Sequence, residues 1–321
     1  MSNLLITGGT GMIASYCARR ALEQGHRVSL LDAEVDREQI RDIAPQVSRV
    51  FAADILDQEG LRAAFGAERF DAVVHTAGML AMGFERDPAM AIRVNVEGSA
   101  QVMHAALESG IPRVVLFSSM MIYAQTDLDA FERVSEERGV DPDTLYGASK
   151  YAAEIIGRTL ARSRGLGFVA LRLPRVFGLG YRRPDATPNP GTNWMLQMVD
   201  RALAGKGGPA MPALGVPDEW VYAADVADAT VRAATLAGLT PGAYNVGSGV
   251  LWTPRDLVEA FADVSGVPFE YLEPPLPSEA VRAWRMKKPS DLSASERHLG
   301  YRPRFSDPRS AVRELLAFAS C

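Results

Sequence analysis

Tyr146 and Lys150 stand four residues apart in the run LYGASKYAAEI, a spacing that puts a phenol and an ammonium on one face of a helix. A cation at that distance favours the phenolate, so a group that ordinarily titrates near ~10 is expected to exchange protons closer to neutral pH. Such a pair suits proton transfer at the oxygen of an alcohol or ketone while hydride moves at the carbon. Ser118 and Ser119 close an apolar run that starts at Val114. Their hydroxyls are expected to face the same crevice and to orient the substrate oxygen.

A second set of residues points to what accepts the hydride. Thr7 Gly8 Gly9 Thr10 Gly11 Met12 Ile13 Ala14 follows the first apolar run and opens a helical pattern. Glycines in that context let the backbone approach a pyrophosphate at the helix N-terminus, and the small Ala14 permits close packing of helix on sheet. Asp32 closes the second apolar run, where an acid can bond the adenine-ribose hydroxyls and repel a 2′-phosphate. The expected cofactor is therefore NAD in preference to NADP, although Arg37 nearby argues the other way.

The elements that must position these residues alternate. Short apolar runs at Leu4 to Thr7, Val28 to Asp32, Val50 to Ala53, Ala72 to Thr76 and Val114 to Ser118 read as buried strands. Amphipathic stretches such as Met12 to Gln24 and Pro88 to Ser109 read as crossover helices between them. The pattern predicts an α/β fold with a doubly wound, parallel Rossmann-type sheet, its ligand crevice at the carboxyl ends of the strands. From Gly178 to Gly215 the chain is rich in Pro and Gly and predicts mostly loop with one helix at about Asn193 to Ala204. Trp220 and Val221, the helical pattern Asp225 to Leu236 and a short strand at Ala243 to Val246 are expected to return to the sheet. Residues 1–177, with 218–248 returning, thus form the expected dinucleotide-binding domain, and 178–217 with 249–321 a smaller substrate lobe.

Composition narrows the partners. A net charge of −5 with interleaved acids and bases offers no stripe for a polyanion, so nucleic acid is not an expected partner. The opening MSNLLITGG lacks the basic and long apolar regions of a signal peptide, no run approaches a membrane span, and the expected location is the cytoplasm. Cys17 and Cys321 form no disulfide framework, the four His have no zinc-ligand spacing, and no metal is expected.

With these motifs in view, the chain resembles the extended short-chain dehydrogenases/reductases of the NAD-dependent epimerase/dehydratase family. The resemblance runs through TGGTGMIA at 7–14, Asp32, DILD at 54–57, HTAG at 75–78, NVEG at 95–98, FSSMMIY at 117–123, YGASK at 146–150, LRLPRVFG at 171–178, WVYAADVADA at 220–229, YNVGSG at 244–249 and LGYRP at 299–303. It implies that Ser119, Tyr146 and Lys150 are the catalytic residues and that Gly8, Gly11, Met12 and Ile13 hold the cofactor's phosphates. By the same resemblance Asp54 and Ile55 flank the adenine, Ala77 and Gly78 line the diphosphate and ribose path, Asn95 sits below the active site, and Pro174 lies against the nicotinamide. His75, though a potential base, takes a structural role. A homodimer through helices at 88–109 and 145–163 is implied as well.

Departures from the family pattern bear on the substrate. Met120 and Met121 stand where dehydratases of the family carry an Asp-Glu pair, and thioethers cannot exchange protons. Asp218, followed by Glu219 and Trp220, stands where nucleotide-sugar members place a diphosphate-binding Arg, and Arg175 where many have Asn. A compensating cluster of Arg175, Arg182, Arg183, Arg282 and Arg285 is conceivable in the lobe. Substrate contacts are thus expected from Ser119, Met120, Arg175, Arg182 and Trp220. The first reading is an NAD-dependent oxidoreductase for a secondary alcohol or ketone of a small carbohydrate-like or hydroxy-acid substrate. A nucleotide-sugar epimerase with tightly bound NAD is the alternative, and a catalytically silent dinucleotide-binding regulator is a third.

Overall fold

Alternation of short apolar runs with amphipathic stretches produces a three-layer α/β structure. The computed structural model describes residues 1–123, 132–180, 190–210, 212, 216–272 and 288–320. In chain order the first half comprises β1 (Asn3–Thr7), α1 (Met12–Glu23), β2 (Arg27–Asp32), β3 (Arg49–Ala52), α2 (Gln58–Phe65), β4 (Ala72–His75), α3 (Ala81–Arg86), α4 (Pro88–Ile92), α5 (Ser99–Glu108), β5 (Arg113–Ser119), α6 (Leu145–Arg164) and β6 (Gly167–Leu173). The second half comprises β7 (Arg175–Phe177), α7 (Pro190–Leu203), β8 (Gly208–Ala210), β9 (Asp218–Tyr222), α8 (Ala223–Thr235), β10 (Gly242–Asn245), β11 (Leu251–Trp252), α9 (Pro254–Ser265), β12 (Phe269–Tyr271), α10 (Ser293–Leu299) and α11 (Pro308–Ala319).

Seven parallel strands form the central sheet in the order β10-β6-β5-β4-β1-β2-β3. Successive strand side chains point to opposite faces. Leu4 and Ile6 accordingly enter the core shared with α1 and α8, whereas Leu5 enters the core shared with α2, α5 and α6. The strand order reverses beside β1, whose neighbours are β2 and β4, so the crevice opens at the carboxyl ends of β1 and β4.

Three expectations change. The stretch at 88–109 is not one uniform helix, because a π-helical turn at Arg93–Gly98 separates α4 from α5. Trp220 and Val221 do not join the central sheet: β9 pairs with β7 and β11 in a small sheet of its own, while α8 and β10 do return to the central layers. The Pro- and Gly-rich segment holds, besides α7, the strand β8, which pairs with β12. No helix among the described residues is long and apolar enough to cross a membrane.

Candidate active site

The turn after β1 depends on Gly8, whose φ of +66° lies in the left-handed region. A Cβ there would stand 2.8 Å from the Ala77 amide nitrogen and 2.9 Å from Thr76 Oγ1. Glycine therefore lets the loops after β1 and β4 meet. Gly11 leads into α1 with no side-chain cap, so the first amides of the helix, those of Met12 and Ile13 included, remain available to an anion. Asp32 is fixed at the end of β2: its Oδ2 accepts from the Thr10 amide at 2.9 Å and the Thr10 hydroxyl at 2.7 Å, and its Oδ1 from the Glu34 amide at 3.3 Å. Beyond β3, Asp54 is exposed and Ile55 buried against Gly98. The glycine cradle, the uncapped helix and the fixed carboxylate fit the pyrophosphate and ribose of a dinucleotide.

Tyr146 lies in the first turn of α6. Thr144 caps that helix by accepting from the Gly147 amide at 3.0 Å. Any Cβ at Gly147 would overlap the Met121 carbonyl oxygen, so the helix start can lie directly on the turn that follows β5. Ser119 caps this turn, its Oγ accepting from the Met121 amide at 3.1 Å, and it is hydrogen-bonded to the Tyr146 hydroxyl. Phe84 of α3 packs edge-on against the phenol, 6.0 Å between ring centroids. Asn95, on the π-helical turn, joins the loop after β4 to α6: its Oδ1 accepts from the Met79 amide at 2.7 Å, and its Nδ2 donates to Met79 O and to Ser149 Oγ. Ser149 in turn donates to the Tyr146 carbonyl at 2.7 Å.

Lys150 shares the Tyr146 face, yet its Nζ is 5.9 Å from the phenol ring centroid and reaches toward Gly78 and Asn95 Oδ1. It has no hydrogen-bond or ion-pair partner among the described residues. The expected drop in the phenol's pKa does not appear, the lysine extending past the ring toward the loop after β4. Burial instead raises the Tyr146 pKa to about 12 against the lowering effect of the Ser119 bond, and it lowers Lys150 to about 8. A buried, unpartnered amine with a depressed pKa beside a crevice makes this a candidate functional site.

Ser118 departs from expectation. One residue before Ser119, it faces the opposite side of the strand and donates to Glu154 at 2.5 Å. Glu154, fully buried two turns after Tyr146, also takes a two-pronged bond from Arg172, at 3.0 and 2.8 Å. Neither this ion pair nor the Phe84 contact has a motif in the sequence, although the position of Glu154 four residues past Lys150 places it on the same helical face.

The expected substrate residues fare unevenly. Met120 is buried with Ile122, Tyr123 and Val134 and does not line the crevice. Trp220 is likewise buried, against Phe177 and Trp194. Arg175 is paired with Asp218 at 2.8 Å, so that carboxylate does not stand alone. Glu219 points elsewhere, accepting from the Gly249 and Ser290 amides. Arg182, Arg183, Arg282 and Arg285 lie outside the described residues. Pro174 separates β6 from β7 and adjoins Gly247.

A doubly wound sheet carrying this site is the arrangement of an extended short-chain dehydrogenase/reductase, and the likeness holds along the chain. It is 26% identical to the UDP-glucose 4-epimerase of Bacillus subtilis, over 97% of this chain and 91% of that protein. Among solved structures, the UDP-glucose 4-epimerase of Thermus thermophilus in complex with NAD is 27% identical, covers 99% of both chains and superposes with a TM-score of 0.79. The UDP-glucose 4-epimerase of Thermotoga maritima, 21% identical over 99% of this chain and 98% of that one, shares the fold with a TM-score of 0.83. The sequence model of the NAD-dependent epimerase/dehydratase family matches residues 4–247, and the protein belongs to that family.

Proposed function

We propose that the protein is an NAD-dependent epimerase that inverts a secondary alcohol of a nucleotide sugar through transient oxidation. The observation that carries this reading is the Tyr146 hydroxyl bonded to Ser119 at the end of β5, with the unpartnered Lys150 one helical turn away. NAD, when bound, supplies the hydride acceptor and donor. Ser119 holds the substrate oxygen, and Tyr146 Oη takes its proton and returns it after the sugar has presented its other face. Lys150, one helical turn from the phenol, would hold the cofactor's ribose and support ionisation of the phenol in the complex.

Around that set, Gly8, Gly11, Met12 and Ile13 hold the pyrophosphate, Asp32 the adenine ribose, and Asp54 and Ile55 the adenine. Ala77, Gly78 and Pro174 line the path to the nicotinamide, and Asn95 braces it from below. The UDP-glucose 4-epimerases to which the chain is similar support a nucleotide sugar as substrate. Asp218, a carboxylate at the start of β9, favours a second reading, net dehydrogenation of a small sugar or hydroxy acid that carries no diphosphate. Incubation with NAD and UDP-glucose separates the two: an epimerised UDP-sugar without NADH is expected, whereas accumulating NADH with a small hydroxy acid favours the second. Under either reading Tyr146→Phe is expected to abolish turnover and leave NAD affinity nearly unchanged; a fully active variant would refute the proton-transfer role. We also propose a homodimer through α4, α5 and α6.

A further inference from the structure

We propose that Arg175 receives an oxyanion of the substrate and that Asp218 and Trp220 hold its guanidinium in position to do so. The inference rests on the catalytic reading of the crevice, but not on whether the anion is a nucleotide diphosphate or a sugar carboxylate. Leu173 is the register partner of Ser119, and Arg175 opens the next strand two residues later. The cation therefore arises beside the catalytic serine, at the carboxyl end of the sheet.

Across β7 and β9, Arg175 is in register with Trp220, and Asp218, two residues earlier on β9, shares that face. Arg175 Nε donates to Asp218 Oδ2 at 2.8 Å, and the guanidinium carbon lies 5.1 Å from the Trp220 ring centroid. These contacts fix the plane of the fork through one of its five N–H groups. The terminal nitrogens have no partner among the described residues, and the side chain is 18% exposed. Arg172 shows what a purely structural arginine does in this molecule: Nε and Nη2 bond Glu154 and Nη1 bonds Tyr123. Arg175 by contrast presents an oriented, unspent fork.

Trp220 adds an independent observation. The residue is 2% exposed, yet its indole N–H has no acceptor among the described residues. Folded chains seldom leave a buried donor unmade, and such a group calls for a partner that arrives from outside. An anionic oxygen entering at the Arg175 fork would supply acceptors to both donors. Asp218 half-neutralises the guanidinium, which makes the subsite a directional donor more than a strong positive field.

Calorimetry with uridine diphosphate and with glucuronate tests this in the Tyr146→Phe protein saturated with NAD. No turnover is read, so a failed epimerase assay leaves the test intact. One probe is expected to bind, and which one tells a diphosphate from a carboxylate. Arg175→Met should weaken it roughly 30-fold or more, with Arg175→Lys restoring only part, since lysine lacks the fork. Asp218→Asn keeps an acceptor for Nε while removing the charge and should tighten binding roughly 3- to 10-fold. Breaking a merely structural pair would not improve affinity. Unchanged affinity in Arg175→Met, weaker binding in Asp218→Asn, or no binding of either probe before substitution would overturn the proposal. If Arg175→Met does not fold, judged by its NAD affinity, Arg175→Lys alone decides.

Discussion

His75 is neutral because both of its ring nitrogens are already committed. The Ser99 hydroxyl donates to the Asn95 carbonyl at 2.6 Å, so it can only accept from His75 Nε2–H, 3.0 Å away; Nδ1 is left to accept the Thr7 hydroxyl at 2.7 Å. Burial, with the Lys150 charge nearby, lowers its pKa to about 3. Between pH 3 and the ordinary imidazole value near 6.5 the unfolded chain therefore binds a proton that the native chain does not. Stability is fully present above that window and falls as pH drops through it, by about 1.4 kcal/mol per pH unit. Urea unfolding at pH 6.5 and pH 5 is expected to show the natural protein losing about 2 kcal/mol more than His75→Gln. Equal losses would mean that the imidazole is charged in the fold. A histidine held neutral in this way cannot serve as the acid or base of the reaction, and the work passes to Tyr146.

The element that matters most is the start of α6, which rests on the turn after β5 at a distance only glycine allows. Adding a methyl group with Gly147→Ala must push the helix off the Met121 carbonyl and carry Tyr146 away from Ser119. Overpacking of this kind typically costs about 1–3 kcal/mol, and a displacement of about 1 Å at reacting groups about 100-fold in rate. We expect kcat to fall about 100-fold with NAD affinity retained, because the cradle at Gly8 and Asp32 is on other elements; an unchanged kcat would show that the close approach does not set the site. What was legible in the sequence divides along the same line. Strands β1 to β5, the glycine turn, Asp32 and the Tyr-Lys spacing are local patterns, and each is found where its periodicity or turn chemistry put it. The pairing of β9 with β7 and the Arg175–Asp218 contact depend on strand partners far away in the chain, whereas the inward turn of Ser118 follows from the alternation of side chains along β5. The π-helical turn at Asn95 has no period that a helical pattern would reveal, although it sits where a buried amide joins the loop after β4 to α6.

Across the whole molecule, β9, β10 and the segments around Val134, Gly249, Ser290 and Tyr301 are joined by buried polar ties. Glu219 of β9 accepts from the Gly249 and Ser290 amides and the Ser290 hydroxyl, Asn245 of β10 donates to Val134 O, and Tyr301 donates to Gly247 O. Burial raises the Glu219 pKa against these donors, so the tie relies on hydrogen bonds as much as on charge. The outer surface bears on the proposed homodimer. Six of the eleven exposed large hydrophobic side chains among the described residues fall between Leu80 and Ile92 or between Leu145 and Ile155. Leu80, Met82 and Leu145 adjoin the segments that carry Phe84 and Tyr146, whereas Met90, Ile92 and Ile155 lie farther along α4 and α6. In the proposed homodimer, two copies meeting through α4, α5 and α6 would bury exposed apolar side chains of these segments in a symmetric, self-complementary interface. Sedimentation is expected to give a mass near twice the 34.7 kDa of the chain. Ile155→Glu, a change that a solvent-facing site tolerates within about 0.5 kcal/mol, should halve that mass while leaving NAD affinity intact. A natural protein that sediments as one chain, or a variant that stays paired, would remove α6 from the interface.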